Sequence, residues 1–437
     1  MITLDYLYSI YKQHPVVCTD TRQLTAGCVF FALKGENFDG NQFAAQALTE
    51  GAAYAIIDDP AIQYDSKQYL LVADVLESLQ QLAAHHRRQF DIPVIAIGGS
   101  NGKTTTKELV AAVLSSHYPC HATTGNLNNH IGVPLTLLAM PAETEVAVIE
   151  MGTNQPGDIA FLCEIAAPTH GLLTNIGKEH LEGFGSLAGV KKAEGELFQY
   201  LAKKDGCVFV NTAERYLSAM SGKNRKRVFY AEKETLSPQE SVIDIRLLEA
   251  NPYLRLAFLS EHNMPVEVRS QLIGRHNFQN IMTAVALGVY FKVPAAKIKS
   301  AIESYVPANN RSQLLRQNGN TILLDAYNAN PSSMRVALET LQTVKASQKI
   351  AVLGDMLELG AASLTEHQAI LRLAARCKFD RLVVVGPEFG RCAPEKFKAL
   401  HFSDTSAAKT WFETQKFDDA FILLKASRGI KLERVLG

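Results

Sequence analysis

The chain has 437 residues, of which 47% are hydrophobic and 20% charged, too long for one compact core and suited to roughly two to four domains. Lys plus Arg and Asp plus Glu both number 44, and the zero net charge excludes bulk nucleic-acid binding and a polybasic membrane face, though not a small anion held by a few cations. No apolar run approaches the roughly 18 residues of a membrane helix, no signal-peptide pattern opens the chain, and the cysteines are scattered without CxxC spacing, so a cytoplasmic protein with reduced thiols is expected.

In chain order, residues 1–90 mix short strands at 29–33, 54–57 and 69–72 with helical patterns and end in an amphipathic run at 76–90. Residues 91–306 open on an apolar strand at 93–97. Helices (108–116, 158–166, 187–201) then alternate with strands (145–149, 171–174, 206–210), the pattern of a parallel sheet covered on both faces. A period-two stretch from about 240 to 273 predicts a small antiparallel sheet, and a helix at 277–291 closes the unit. Residues 307–437 restart the alternation with strands at 321–325, 349–353, 381–385 and 420–424, a second α/β unit of Rossmann-like type. The linkers near 90–93 and 306–310 are short, so hinged domains are expected.

Gly98-Gly-Ser-Asn-Gly-Lys-Thr-Thr-Thr106 lies between a strand and a helix, the setting of a phosphate-binding loop. Gly99, Ser100, Asn101, Gly102, Lys103, Thr104 and Thr105 are therefore candidate nucleotide-binding residues. Backbone N–H groups and the helix N-terminus favour an anion, Lys103 would reach the β- and γ-phosphates, and the Thr104 hydroxyl would hold Mg2+. The strict motif wants glycine at position 97, where this chain has Ile97. A glycine-rich turn is the plainer alternative, and a kinase or simple NTPase would fit the loop equally well.

Several further segments resemble the Mur ligases of peptidoglycan assembly: TTGNLNNHIGVPLTLL at 123–138, EMGTNQPGDI at 150–159, TNIGKEHLEGFGS at 174–186 and GRHNFQNIMTAVA at 274–286, in the family's order. DAYNANPSSM at 325–334, VLGDMLELG at 352–360 and LLKASRG at 423–429 resemble the branch that adds a dipeptide, with Ala426 in place of a glycine. The resemblance implies an α/β protein of three domains: a UDP-substrate domain at 1–90, a central ATP-binding domain at 91–306 and a C-terminal domain for D-alanyl-D-alanine at 307–437. It implies ATP-dependent amide bond formation on UDP-MurNAc-tripeptide through an acyl phosphate, with Mg2+; a monomer is expected.

Residue by residue, Glu150 at a strand end joins Thr104 as a candidate for the first Mg2+; a surface carboxylate is the alternative. His180 resembles the family's ligand for a second ion. At 191–197, KKAEGEL, many relatives carry a carbamylated lysine where this chain has Glu194, which would supply carboxylate oxygens directly; modification of Lys191 or Lys192 stays open, as does an ordinary solvated helix face. His276, Asn277 and Asn280 fall on the adenine side or cap a helix. Arg311 would neutralise charge at the γ-phosphate, and Asp325 would contact the ribose. Asn328, Asn330, Lys425, Ser427 and Arg428 are candidates for the dipeptide, although 328–333 also reads as a turn and N-cap. Asp20, Thr21, Arg22, Lys34 and Gly35 resemble the segment that receives the UDP-sugar. Other ligases of the superfamily, including folylpolyglutamate synthase, and a P-loop switch remain alternatives at this point.

Overall fold

The computed structural model describes residues 2–62, 67–238 and 242–437, so the first positions of the expected period-two stretch, 240–241, lie outside the described residues. In the first unit, strands Val17–Cys18, Val29–Phe31, Tyr54–Ile57 and Tyr69–Leu71 pair in parallel in that order. Successive side chains alternate between two buried faces. Val29, Phe31 and Ile56 pack with Leu7, Leu79 and Leu82 of helices Leu4–Gln13 and Val75–Arg87, while Phe30, Ala55 and Ile57 pack with Ala44 and Ala47 of Ala44–Thr49.

The helix Val75–Arg87 is capped by Asp74, whose carboxylate accepts from the Glu77 N–H at 2.7 Å. Its far end is docked on the central unit. Arg87 is buried and donates to the carbonyls of Ala166 (3.0 Å), Ala167 (3.2 Å) and Phe90 (2.7 Å), and Leu79 and Leu82 share one core with Val133, Leu137 and Leu162.

The central unit is a nine-stranded sheet in the order Cys120–Ala122, Val146–Glu150, Val94–Gly98, His170–Leu173, Cys207–Asn211, Lys226–Glu232, Val242–Glu249, Tyr253–Leu259, Pro265–Ile273. The first seven are parallel and the last two antiparallel. The antiparallel part therefore continues the edge of the parallel sheet. Strand Val94–Gly98 is buried on both faces: Ile95 and Ile97 face helices Lys103–Ser115 and Arg275–Tyr290, and Val94 and Ala96 face the opposite core. The helix expected at 187–201 is two, Leu187–Glu194 and Glu196–Lys203, broken at Gly195.

In the third unit, Gln313–Gln317 runs antiparallel to Asn320–Asp325. Ala420–Lys425, Gln348–Gly354, Arg381–Val385 and Leu400–Phe402 follow in parallel order. Helices Pro331–Thr343 and Ser363–Cys377 cover one face and Thr405–Thr414 the other. No helix among the described residues is long and apolar enough to cross a membrane.

Candidate active site

The C-terminal ends of the central strands and the facing edge of the third unit enclose a cavity of about 700 Å³. At its floor the chain leaves strand Val94–Gly98, turns, and enters helix Lys103–Ser115. Gly99 (φ +109°) and Gly102 (φ +81°) are in the left-handed region, and an added Cβ would stand 2.3 Å from Thr174 Oγ1 and 2.6 Å from Asn280 Oδ1 respectively. Position 97 needs no glycine, because Ile97 still belongs to the buried strand. The segment 174–177 holds the loop: Ser100 N–H donates to Asn175 O (2.9 Å), Asn101 N–H to Asn175 Oδ1 (3.0 Å), and Gly177 N–H to Ser100 Oγ (2.8 Å).

Three carboxylates surround this loop. Glu150 Oε1 accepts from the Thr104 hydroxyl at 3.1 Å and from Asn128 Nδ2 at 2.8 Å. Glu194 Oε2 accepts from the Gly99 N–H at 2.7 Å, a contact made as the helix ends before Gly195. Lys191 lies over the Tyr216 ring, 5.0 Å from its centroid, and Lys192 is exposed, so of this segment the carboxylate is what reaches the loop. Glu179, which sequence reasoning passed over, stands 3.7 Å from Lys103 Nζ. Its signal was an acidic side chain directly before His180 in TNIGKEH.

Lys103 folds back on its own loop, donating to the carbonyls of Gly99 and Ser100. Burial works to lower its pKa, but Glu179, Glu194 and Glu150 outweigh it and the ammonium is held above its usual range. Burial pushes Glu194 up to about 7, with Glu179 adding and Lys103 opposing. One oxygen of each carboxylate, Glu150 Oε2, Glu179 Oε1 and Glu194 Oε1, is buried without a hydrogen-bond partner.

The third unit closes against this floor. His180 Nδ1 meets Glu358 Oε2 at 2.7 Å, Lys178 Nζ meets Glu366 Oε1 at 2.5 Å, and Asn330 Nδ2 donates to Asn101 Oδ1 at 2.9 Å. Asn330 also caps Pro331–Thr343 by a capping box with Ser333, so the helix begins at Pro331 rather than Met334. Its side chain thus serves as a cap and touches the phosphate loop, while the residue also lines the cavity.

On the side of helix Arg275–Tyr290, Asn280 Oδ1 accepts from the Thr106 hydroxyl at 3.1 Å and ties the helix to the loop. Asn277 is bonded internally, to Ile273 O and Asn280 Nδ2, both at 2.9 Å. His276 lines the cavity; its Nδ1 is buried without a partner, and burial pushes its pKa down to about 4.

In the third unit, Arg311 stacks on the Tyr327 ring at 3.5 Å, and Arg428 lies 5.0 Å from the same ring. Lys425, a candidate for the dipeptide, lines the cavity and is paired within the third unit. It is 2% exposed, 2.6 Å from Asp325 Oδ2, and donates to Asn328 O at 3.2 Å. Burial opposes ionisation of Asp325, but Lys425 prevails and its carboxyl is held below its usual range. Asp325 Oδ1 also accepts from Ser312 N–H at 3.2 Å. Ser427 is equally engaged, donating to Ala329 O (3.2 Å) and accepting from Leu357 N–H (2.9 Å). Asn328 Oδ1 accepts from the Ala329 N–H at 2.8 Å. Only Arg428 of the last trio is exposed.

The first-unit candidates do not line the cavity. Asp20 caps the turn Thr21–Gln23 and pairs with Arg22 at 2.6 Å, which draws its carboxyl down to about 2 through the Arg22 hydrogen bond. Lys34 pairs with Asp58 at 2.8 Å, and Gly35 lies in the short hairpin with Phe38–Asp39.

A phosphate loop roofed by a second α/β unit, with buried carboxylates between them, is the layout of a nucleotide-dependent enzyme that joins two substrates across a cleft. Family models described as the Mur ligase family catalytic domain, the Mur ligase middle domain and the Mur ligase glutamate ligase domain match residues 15–87, 97–288 and 310–428. The UDP-N-acetylmuramoyl-tripeptide–D-alanyl-D-alanine ligase of Bacillus subtilis is 33% identical over 96% of this chain and 92% of its own length. A crystal structure of MurF from Acinetobacter baumannii superposes with a TM-score of 0.85 at 31% identity, covering 96% of this chain and 92% of that one. MurF from Thermotoga maritima, solved in complex with ADP, gives 0.83 at 26% identity over 100% and 97%. The chain belongs to the Mur ligase family, and it is an ATP-dependent ligase.

Proposed function

We propose that the chain joins D-alanyl-D-alanine to UDP-MurNAc-tripeptide, using ATP and giving UDP-MurNAc-pentapeptide, ADP and phosphate in the cytoplasm, as a monomer. Residues 1–90 would hold the UDP-substrate, 91–306 the ATP and 307–437 the dipeptide. The observation that carries this reading is the shared cavity, with a phosphate loop on one wall and Arg311 and Tyr327 of the third unit at the other.

A terminal carboxylate oxygen of the tripeptide attacks the γ-phosphorus, ADP leaves, and an acyl phosphate forms. The dipeptide amine then attacks the acyl carbon, and phosphate leaves with that oxygen. The first step brings like charges together, so catalysis depends on screening and positioning. Lys103 swings from the Gly99 carbonyl to the β- and γ-phosphates, while the amides of Gly99 to Thr105 cradle them. Arg311, held flat by Tyr327, faces the transferred group. Asp325, fixed by Lys425, orients the backbone at Ser312 beside His276. Arg428 attracts the dipeptide carboxylate.

The residues present fit Mg2+. The orphaned carboxylate oxygens of Glu150, Glu179 and Glu194 are hard donors of the kind Mg2+ takes. Thr104 and Glu150 would hold one ion, His180 and Glu194 a second. When bound, Mg2+ supplies positive charge to the triphosphate and the approaching carboxylate.

Steady-state phosphate release tests the reading. It should stay near background with ATP and either acceptor alone and rise only with both; equal release from ATP alone would make the chain a simple NTPase.

A further inference from the structure

The phosphate loop has more buried negative charge than its lysine can balance. Glu150, Glu179 and Glu194 are 1%, 4% and 0% exposed, and each keeps one buried oxygen with no partner. The ammonium facing them is Lys103, 3.7 Å from Glu179 and bent onto the Gly99 carbonyl. With all three ionised, two negative charges remain, which is the charge of one divalent cation. Burying such charges unpaired costs several kcal/mol per ion. Of the other cationic groups nearby, Arg311 is stacked on Tyr327 and His180 is engaged with Glu358. Glu179 lines the cavity, and its free oxygen is not directed to any protein donor.

We propose that Glu179 is a direct ligand of a divalent cation shared with Glu194, and that this cation takes over the balance Lys103 now provides, releasing the lysine toward the nucleotide. The inference rests on the nucleotide-site reading above and adds to it a ligand that the chain's motifs did not announce. A carboxylate pair at this edge of the loop makes the cation site a property of the folded chain before nucleotide arrives.

The test uses the full chain and Mn2+ as the probe, with free Mn2+ followed by electron paramagnetic resonance in the absence of nucleotide. ADP binding in excess Mg2+ is measured separately, and circular dichroism checks the fold of each variant. The wild-type chain should bind Mn2+. Glu179→Gln and Glu179→Asp should each weaken that binding on the order of tenfold or more, the aspartate because it keeps the charge but withdraws the oxygen. ADP binding in excess Mg2+ should persist in both. A wild-type chain that binds no Mn2+, or a Glu179→Asp variant that matches wild type, overturns the ligand assignment. Failure of wild type to bind ADP in excess Mg2+ overturns the nucleotide-site reading instead, so the two are told apart.

Discussion

Lys425 gives the sharpest separation between a substrate role and a structural one. Its ammonium is 2.6 Å from Asp325 Oδ2, with 2% of the lysine side chain and 22% of the aspartate side chain exposed. Lys425→Met keeps the stem and removes the charge, leaving a largely buried carboxylate facing the Asn328 carbonyl. Breaking such a pair costs roughly 3–5 kcal/mol when both partners are buried. Because Asp325 keeps some solvent, the low end, about 3 kcal/mol, is expected. Trp411 is the chain's single tryptophan and sits in the third unit among Phe402, Phe412 and Phe417, so urea unfolding followed by its fluorescence reads that unit. The loss should shrink at lower pH. Without its partner Asp325 titrates higher in the folded state than unfolded, so protonation relieves the variant. Adding Asp325→Asn should recover much of the stability. A variant within about 0.5 kcal/mol of wild type whose KM for D-alanyl-D-alanine alone has risen would refute this reasoning and return Lys425 to the substrate.

Three other outcomes follow from the geometry. Gly102→Ala must place a methyl 2.6 Å from Asn280 Oδ1 at φ +81°, so ADP affinity, measured by calorimetry, should fall by about tenfold or more while the global fold persists. Glu194→Ala removes the acceptor of the Gly99 N–H and a proposed Mg2+ ligand, so turnover should fall and the Mg2+ needed for half-maximal rate should rise; unchanged kinetics would count against both roles. His170 packs against Phe209, Tyr290 and Phe291, and burial pushes its pKa down to about 4. The unfolded chain takes up that proton first, so stability should fall between about pH 6.5 and 4, and His170→Gln should reduce that acid loss by about 1 kcal/mol, allowing for partial exposure; identical acid melting curves would exclude it.

Local pattern was enough where local forces decide. The helix Asp158–Ala166 was read at its observed ends, and the phosphate loop announced itself through glycine spacing and its place between strand and helix. What escaped were pairings across long sequence separations. Lys425 and Asp325 lie 100 positions apart, and each alone looks like a free charge at a strand end. Asn330 has the composition of a turn, and nothing near it reveals Asn101. Glu179 was hidden beside a more recognisable histidine. Gly195 breaks a helix whose periodicity continues across it, next to the Glu194 carboxylate that accepts from the Gly99 amide. Of the first unit's candidates, Asp20 pairs with Arg22 and Lys34 with Asp58, partners that the composition of a turn does not announce.

The central claim is that ATP activates the acid group of the tripeptide precursor by phosphorylating it. The most direct measurement supplies UDP-MurNAc-tripeptide labelled with 18O in its terminal carboxylate, together with ATP and D-alanyl-D-alanine, and determines the mass of both the peptide product and the released phosphate. The account requires a pentapeptide precursor and one 18O atom transferred to phosphate per bond formed. Unlabelled phosphate alongside that product would contradict carboxylate attack on ATP.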